Sequence, residues 1–270
     1  MAPAYSRLAR CYDAALGLEN LGHSRRIFES LVRRYGIPFR TAADVGCGTG
    51  LFARYLADRW GVPVFAVDRS PEMLEVARRH CHGPAVRVLE QDIRALGLPW
   101  PVDLITANFD VVNHLPDTAD LWRTFRRIVA NLLPGGHFIF DAITNCRPLG
   151  GPAVFTRRLR GPDGGLIQQI HWDPRRQRLL GFVVHSRGGD ARSPLVERHV
   201  ERGFAPALVA RALENAGLII RGVHDALTLR RVHHCPPRIV VVARRPDGAT
   251  VRAPGAPPST PRCGWWAAPG

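Results

Sequence analysis

Apolar positions recur at helical and at strand-like spacing along the first half of the chain. Residues 21–35 place apolar side chains on one face and arginines on the other, which predicts an amphipathic helix. A strand over 41–45 then leads through a glycine loop into a helix over 51–60. A second strand over 62–67 is followed by Ser70, which has the character of a helix N-cap before a proline. Strand and helix thus alternate twice.

The alternation continues as far as residue 141. In chain order, the pattern predicts strands over 86–90 and 103–107, a helix over 118–131, a turn over 133–136 and a strand over 138–141. Strands that alternate with helices form parallel sheets with right-handed crossovers. The first half therefore predicts an α/β fold with a doubly wound, mostly parallel sheet.

Beyond residue 141 the rhythm changes to short strand-like runs separated by turns rich in glycine and proline. The runs cover 153–159, 166–172, 179–185 and 195–201. Such a pattern predicts an antiparallel β-meander inserted into the α/β chain. A helix over 206–216 and strands over 218–223 and 239–243 then resume the sheet.

Five segments follow from this reading of the chain. They are an N-terminal helical cap over 1–40, the ligand-binding α/β core over 41–150, the β-meander over 151–204, the completion of the sheet over 205–245, and a tail over 246–270. The tail is dominated by small residues and proline, and we predict that it is disordered.

Composition excludes a membrane-spanning chain. The sequence of 270 residues is 46% apolar, which suffices for a core, but no apolar run approaches the ~18 residues that a bilayer requires. Its first residues lack the apolar segment of a signal peptide. We therefore predict a cytoplasmic protein without membrane partners, and its oligomeric state stays open.

Positive charge is unevenly distributed. All 37 basic residues are arginine and exceed the 23 acidic ones by 14, and most of the excess lies beyond residue 150. Such a field can favour an anionic small-molecule acceptor or a nucleic acid. A scattered, solvated arginine surface is the alternative.

The six cysteines form no C-x-x-C pair, and we predict that they are reduced thiols. Residues 80–82 and 233–235 combine histidine with cysteine. Adjacent side chains rarely converge on one ion without partners at zinc-site spacing, so no metal is predicted.

The glycine loop after the first strand carries the strongest chemical signal. Gly46, Gly48 and Gly50 alternate with other residues, a pattern one residue shorter than the dinucleotide fingerprint. Asp44 directly precedes them. An acid in that place suits an ammonium group better than a pyrophosphate.

Two further acids follow neighbouring strands. Asp68 ends the second strand, where a carboxylate can accept hydrogen bonds from ribose hydroxyls. Asp92 follows the third strand, within reach of the exocyclic amine of an adenine. Together with Asp44 they predict a nucleoside ligand that carries an amino acid rather than phosphates.

Four ordered motifs make the chain similar to class I S-adenosylmethionine-dependent methyltransferases over residues 5–245. The motifs are Asp-Val-Gly-Cys-Gly-Thr-Gly at 44–50, Val-Asp-Arg-Ser-Pro-Glu-Met-Leu at 67–74, Gln-Asp-Ile at 91–93 and Leu-Leu-Pro-Gly-Gly at 132–136. The resemblance implies a seven-stranded sheet whose last strand is antiparallel. It also implies S-adenosylmethionine as cofactor and S-adenosylhomocysteine as product.

The resemblance and the loop pattern together assign cofactor-binding positions. They are Tyr12, Asp44, Gly46, Cys47, Gly48, Gly50, Asp68, Arg69, Met73, Asp92, Ile93 and Asn108. In this assignment Asp68 holds the ribose, Met73 packs on the adenine, and Asp92 with Ile93 reads the adenine amine. Tyr12 is equally compatible with simple packing.

Candidate catalytic residues lie after the fourth strand and in the meander. His114 is placed for acceptor contact or as a base, and Glu197, His199 and Glu201 share one face of a strand. The alternatives are that His114 only begins a helix and that the face shared by the other three residues is exposed to solvent. Of these, we predict that His114, His199 and Glu197 are catalytic.

The predicted reaction is in-line transfer of a methyl group to a nitrogen or oxygen of a small molecule. The Asn/Asp-Pro-Pro-aromatic motif of base-modifying enzymes is absent after the fourth strand, and the meander resembles lids over small-molecule pockets. An RNA or tRNA methyltransferase remains open, and salt-dependent RNA binding would reveal it. A noncatalytic scaffold that binds S-adenosylmethionine also remains open; it would lack a pocket over the sulfonium.

Overall fold

The computed structural model describes most of the chain: residues 5, 8–146, 154–161, 164–173, 178–185, 195–232 and 235–248. In the first half, the strands are β1 (Ala42–Val45), β2 (Val64–Asp68), β3 (Val86–Glu90), β4 (Val102–Ala107) and β5 (Leu132–Ile143). In the second half, they are β6 (Val154–Gly161), β7 (Gly164–Asp173), β8 (Arg178–His185), β9 (Leu195–Arg202), β10 (Ile219–Asp225) and β11 (Arg238–Arg244). The helices are α1 (Leu18–Tyr35), α2 (Leu51–Trp60), α3 (Pro71–His80), α4 (Thr118–Ala130) and α5 (Pro206–Asn215).

Seven strands form one sheet in the order β10-β11-β5-β4-β1-β2-β3. β1 pairs in parallel with both β2 and β4, and β11 runs antiparallel to β5 and β10. Six strands are therefore parallel to one another and the last is antiparallel. The predicted fold class is confirmed.

Alternate residues along the strands face two separate cores. Phe138 and Phe140 pack with the residues of α4 and α5, whereas Ile139 between them packs with α1 and α2. Burial on both faces explains the nearly continuous apolar runs of these strands. Each fully buried Phe contributes roughly 1.5 to 3 kcal/mol of transfer free energy.

Two predicted elements differ from the structure by more than two residues. The turn predicted over 133–136 is instead an irregular part of β5, because β4 pairs Val102 with Leu132 but Leu104 with His137. Arg245 closes this bulge through backbone hydrogen bonds with Gly135 and Gly136. α1 begins at Leu18, three residues before the predicted start, because a π-helical turn runs directly into it.

The insert forms a separate four-stranded antiparallel sheet in the order β6-β7-β8-β9, as the sequence predicts. Along β9, Glu197 and His199 are buried while Arg198 and Val200 are exposed. The side chains of β9 therefore alternate between two environments, and the predicted shared face of Glu197 and His199 is present.

Both ends of the insert are attached to the main sheet at one place. Thr144 bridges to Phe204, and its backbone N–H donates to Pro237. Cys146 forms a disulfide with Cys235, with the two Cα atoms 5.5 Å apart. The prediction of six reduced thiols is therefore wrong for this pair, because only the tertiary structure brings together cysteines 89 positions apart.

Three further predictions concern the segments of the chain, its tail and membrane-spanning helices. The five segment boundaries stay a prediction, and residues 249–270 of the predicted tail lie outside the described residues. Within the described part of the chain, no helix combines the length and apolar character needed to cross a membrane.

We expect reduction of the Cys146–Cys235 bond to destabilise the protein. Opening a loop of this size removes a constraint on the unfolded chain worth about 2 to 4 kcal/mol, which corresponds to a Tm lower by about 5 to 10 °C. Calorimetry of the wild type and of Cys235→Ser, each with and without dithiothreitol, measures this. Equal Tm values for oxidised and reduced wild type would contradict the expectation.

Candidate cofactor and active site

The glycine loop begins where β1 ends, at the point where the strand order reverses between β1 and β4. Such a switch point opens a crevice beyond the carboxyl ends of the strands. Gly46 has a φ of +69°, and a Cβ added there would lie 2.3 Å from the Val111 side chain of the neighbouring loop. Only glycine permits this approach. A Cβ at Gly48 would meet no protein atom within 4 Å, since this residue faces an open cleft.

A solvent-open cleft of about 1130 Å³ lies at this switch point. All but one of the predicted cofactor-binding residues line it: Tyr12, Asp44, Gly46, Cys47, Gly48, Asp68, Arg69, Met73, Asp92, Ile93 and Asn108. The structure thus brings residues from four strand ends and the N-terminal segment to one surface.

Gly50 is the exception. It precedes α2 with a φ of +80°, and a Cβ there would lie 2.8 Å from the Cys81 sulfur and 3.0 Å from the Ala77 Cβ. Its position in the structure serves the packing of α2 against α3. The alternating glycine pattern in the sequence does not distinguish this role from ligand contact.

Asp68 is held in place by backbone donors. The N–H groups of Gly48 and Ser70 donate to its two carboxylate oxygens at 2.8 and 2.9 Å. Burial nevertheless raises the pKa of Asp68 above its ordinary value. The backbone N–H of Arg69 also hydrogen-bonds to this carboxylate. A carboxylate has about four acceptor sites, so it can still accept a hydroxyl from the cleft.

Asp44 is a buried carboxyl at the end of β1. The Thr106 hydroxyl and the Asn108 amide donate to one of its oxygens at 2.8 and 3.3 Å. Desolvation outweighs these bonds and raises the pKa of Asp44 to about 7. The protein itself therefore compensates the ionised carboxylate of Asp44 only poorly. A positively charged group in the cleft would interact favourably with it.

Asp92 differs from the other two acids because a neighbouring cation already engages it. The Arg94 guanidinium donates to both its oxygens, at distances from 2.7 to 3.1 Å, and also reaches Asp120. These bonds lower the pKa of Asp92. The carboxylate is thus ionised and rigidly oriented at the rim of the cleft, next to Ile93.

Comparisons with known proteins agree with this geometry. Residues 42–136 match the family model described as "Methyltransferase domain". Residues 42–136 are therefore similar to methyltransferase domains. In its fold the chain is similar to an S-adenosylmethionine-dependent methyltransferase from Clostridium acetobutylicum, with a TM-score of 0.74, 22% identity and coverage of 90% of this chain and 99% of that one.

Curated relatives are similar to part of the chain. A dTDP-3-amino-3,6-dideoxy-alpha-D-glucopyranose N,N-dimethyltransferase from Streptomyces fradiae is 35% identical over 112 residues, 42% of this chain and 43% of that protein. A trans-aconitate 2-methyltransferase from Mycobacterium tuberculosis is 30% identical over 177 residues, 65% of this chain and 62% of that protein. The matched stretch spans less than two thirds of either relative.

The N-terminal segment covers part of the cleft. The Thr49 hydroxyl of the glycine loop donates to Asp13 at 2.6 Å, and His80 lies 3.4 Å from the same carboxylate. Tyr12, next to Asp13, is partly buried, and desolvation raises its pKa to about 12. These contacts attach the segment to the loop that it covers.

Tyr5 links the cleft to the insert. Its hydroxyl lies 3.1 Å from Nε2 of His114, and its ring packs edge-on against His199 with centroids 4.5 Å apart. Tyr5 and His114 both line the cleft. His199 lies behind Tyr5 and is not among the lining residues.

Glu197 has a different position from the one its sequence context indicates. One of its carboxylate oxygens accepts the backbone N–H of Leu8 at 3.0 Å, and the other lies 3.6 Å from His199. Its side chain is fully buried. Glu197 therefore attaches the N-terminal segment to β9, which places it behind the cleft surface.

Several lining residues were missed by the sequence reading. They are Tyr5, Gly17, Asn20, Leu21, Ser24, Thr49, Leu51, Phe52, Ser70, Gln91, Arg94, Phe109, Val111, Leu115 and Pro116. Most lie on the N-terminal elements or after β4, where no recognisable motif marks them. Thr49, Ser70 and Gln91 instead lie within the motifs at 44–50, 67–74 and 91–93. Among the described residues, no group of three or more His, Cys, Asp or Glu side chains could hold a metal ion.

We expect Asp44→Asn to stabilise the ligand-free protein in a pH-dependent way. Between about pH 4 and pH 7 the folded state keeps the Asp44 proton that the unfolded chain releases, so the wild type loses stability as pH rises. Asparagine has no such penalty. The Tm of the variant minus that of the wild type should grow across this window and then stay constant. A difference independent of pH would contradict this account.

Proposed function

We propose that the protein is an S-adenosylmethionine-dependent methyltransferase that acts on a nitrogen or oxygen of a small molecule. The observation that carries this proposal is the cleft at the β1/β4 switch point. It combines an open position over Gly48, the backbone-held carboxylate of Asp68 and the poorly compensated carboxyl of Asp44. The family match of residues 42–136 supports it.

The residues of the cleft fit S-adenosylmethionine. Asp44 suits the ammonium of the methionine portion, because a cation would compensate its buried carboxylate. Asp68, Met73 and Asp92 all line the cleft. Asp68 would accept the ribose hydroxyls, Met73 would pack against the adenine, and Asp92 would accept the adenine amine. Bound S-adenosylmethionine supplies a methyl group activated on a sulfonium, and in-line attack by the acceptor leaves S-adenosylhomocysteine.

His114 is the candidate base at the acceptor end. Burial, together with the charges of His199 and Arg69, lowers its pKa to about 4, so the imidazole is neutral at pH 7. Its ring also hydrogen-bonds to the backbone of Val200. Since Nε2 faces Tyr5, the donor to that carbonyl is Nδ1, and the Nε2 lone pair accepts a hydrogen bond from the Tyr5 hydroxyl. A proton leaving the acceptor would therefore pass to His114 through the Tyr5 hydroxyl.

The other two catalytic candidates receive supporting roles in this proposal. His199 holds the Tyr5 ring from behind, and Glu197 fixes the backbone at Leu8. Both therefore position Tyr5 rather than contact the acceptor.

The acceptor is proposed to be a small molecule. The named relatives supply the comparison: one acts on an amino sugar nucleotide and the other on trans-aconitate. Arg69 lines the cleft near His114 and would favour an acceptor with an anionic group. We also propose a cytoplasmic location, because S-adenosylmethionine is made and used inside cells.

Calorimetric titration with S-adenosylmethionine, S-adenosylhomocysteine and NAD tests the cofactor. We expect micromolar binding of the first two, no binding of NAD, and a loss of about 100-fold or more in Asp68→Ala, which removes the ribose acceptor. Asp58→Ala is the control, since Asp58 is an exposed partner of Arg54 on α2. Failure of folded wild type to bind either sulfur compound would reject the cofactor.

Replacement of His114 tests the base. With a panel of amines, hydroxyl compounds and carboxylates as acceptors, we expect His114→Ala to lower kcat by about 100-fold while affinity for S-adenosylhomocysteine is unchanged. Because the pKa of His114 is about 4, the wild-type rate between pH 5 and 8 should not follow its protonation. The exposed His82→Ala is the control. A kcat within about threefold of wild type would exclude His114 as base.

A further inference from the structure

The loop after β4 forms one wall of the cleft and has an unusual backbone. It contributes Asn108, Phe109, Val111 and His114 to the lining. Phe109 and the next residue, Asp110, are consecutive non-glycine residues with φ of 59° and 62°. Left-handed conformations are unfavourable for such side chains and persist where surrounding contacts enforce them.

Arg238, the first residue of β11, supplies such a contact. Its guanidinium donates to Asp110 at 2.8 Å and also reaches Asp141 of β5. A second guanidinium nitrogen lies 2.7 Å from the other Asp110 oxygen. The planar fork of arginine thus connects the loop after β4 to two strands of the sheet.

The charges around Arg238 are poorly balanced for a purely stabilising cluster. Asp110 and Asp141 share this one guanidinium, and Glu201 of β9 lies close enough to interact with all three. Burial and the neighbouring carboxylates raise the pKa values of Asp110 and Glu201. Removing such charges from water commonly costs as much free energy as their mutual attraction returns. The geometry that the cluster imposes is therefore more informative than the stability that it adds.

Asp110 transmits its position to the rest of the wall. Its carbonyl accepts the backbone N–H groups of Asn113 and His114 at 2.8 and 3.3 Å, which forms the 3-10 turn Val111–His114. Val111, next in the chain, is the residue that packs on Gly46. A shift of Asp110 would therefore move the contact with the glycine loop and the candidate base together.

We propose that Arg238 is a positioning residue that holds Phe109 and Asp110 in the left-handed conformation and thereby sets the cofactor-binding and acceptor-facing wall of the cleft. Arg238 does not line the main cleft and acts through Asp110. The effect of Arg238 on cofactor binding rests on the function proposed above. Its effect on the conformation of the loop can be measured without any ligand.

The first measurement is amide hydrogen exchange of the segment 108–116 in the ligand-free protein. Arg238→Gln should lose protection at Asn113 and His114, whereas Arg238→Lys, which keeps the charge but not the fork, should lose part of it. Arg244→Gln, at the other end of the same strand, is the matched control because Arg244 pairs with the exposed Asp247. If Arg238→Gln does not fold, Arg238→Lys carries the test. Unchanged protection in a folded Arg238 variant would overturn the proposal.

The second measurement is affinity for S-adenosylhomocysteine by calorimetry. We expect Arg238→Gln to weaken binding about 10-fold or more, because the wall loses its fixed position. Asp110→Gly in the Arg238→Gln background removes both the unpaired carboxylate and the side chain that disfavours a positive φ, and should restore part of the affinity. A merely structural role for Arg238 would give no such rescue.

The two measurements separate this inference from the proposed function. If wild type fails to bind S-adenosylhomocysteine, the cofactor assignment fails, while the exchange data still decide whether Arg238 holds the loop. If wild type binds and Arg238→Gln binds equally well, the positioning role is wrong and the cofactor assignment stands. A double variant no better than Arg238→Gln would likewise overturn the positioning role.

Discussion

The close approach of two loops, one after β1 and one after β4, is the constraint on which the cleft depends. Val111 occupies the space that a side chain at Gly46 would need. The reversal of strand order sends the chain after β1 and after β4 to opposite faces of the sheet, which opens the crevice between them. The missing Cβ of Gly46 then decides how closely the two walls meet.

Two of the three acidic groups of the cleft are held in states that cost stability in the ligand-free protein. Asp44 is buried and Asp68 is partly buried, and desolvation raises the pKa of each even though hydrogen bonds favour their ionised forms. Preorganised charges of this kind are useful where a ligand supplies the complementary group. Desolvation also lowers the pKa of His114, so its imidazole is neutral at pH 7 and Nε2 faces the Tyr5 hydroxyl.

Closure of the cleft depends on contacts between distant segments. Asp13 is attached to the glycine loop by Thr49, and the backbone of Leu8 is attached to β9 by Glu197. On the other side, the buried Asn113 donates to the carbonyls of Ile143 and Arg202, so the turn that carries His114 is fastened to both ends of the insert. Direct hydrogen bonds therefore join the N-terminal segment to the glycine loop and to the insert, and the wall after β4 to the insert.

Local sequence determined most of the elements and much of the cleft lining. Periodicity located most strands and helices to within a few residues, although β5 begins at Leu132 rather than at Phe138. The glycine loop with Asp44 and Asp68 marked the switch point, because local steric and capping rules act over a few neighbours. Tertiary structure alone decided the rest. The Cys146–Cys235 pair, the packing role of Gly50, the displacement of Glu197 behind the cleft and the link from Arg238 to Asp110 join residues far apart in the chain. No local pattern records such contacts, since they arise only when the packed sheet brings its strand ends together.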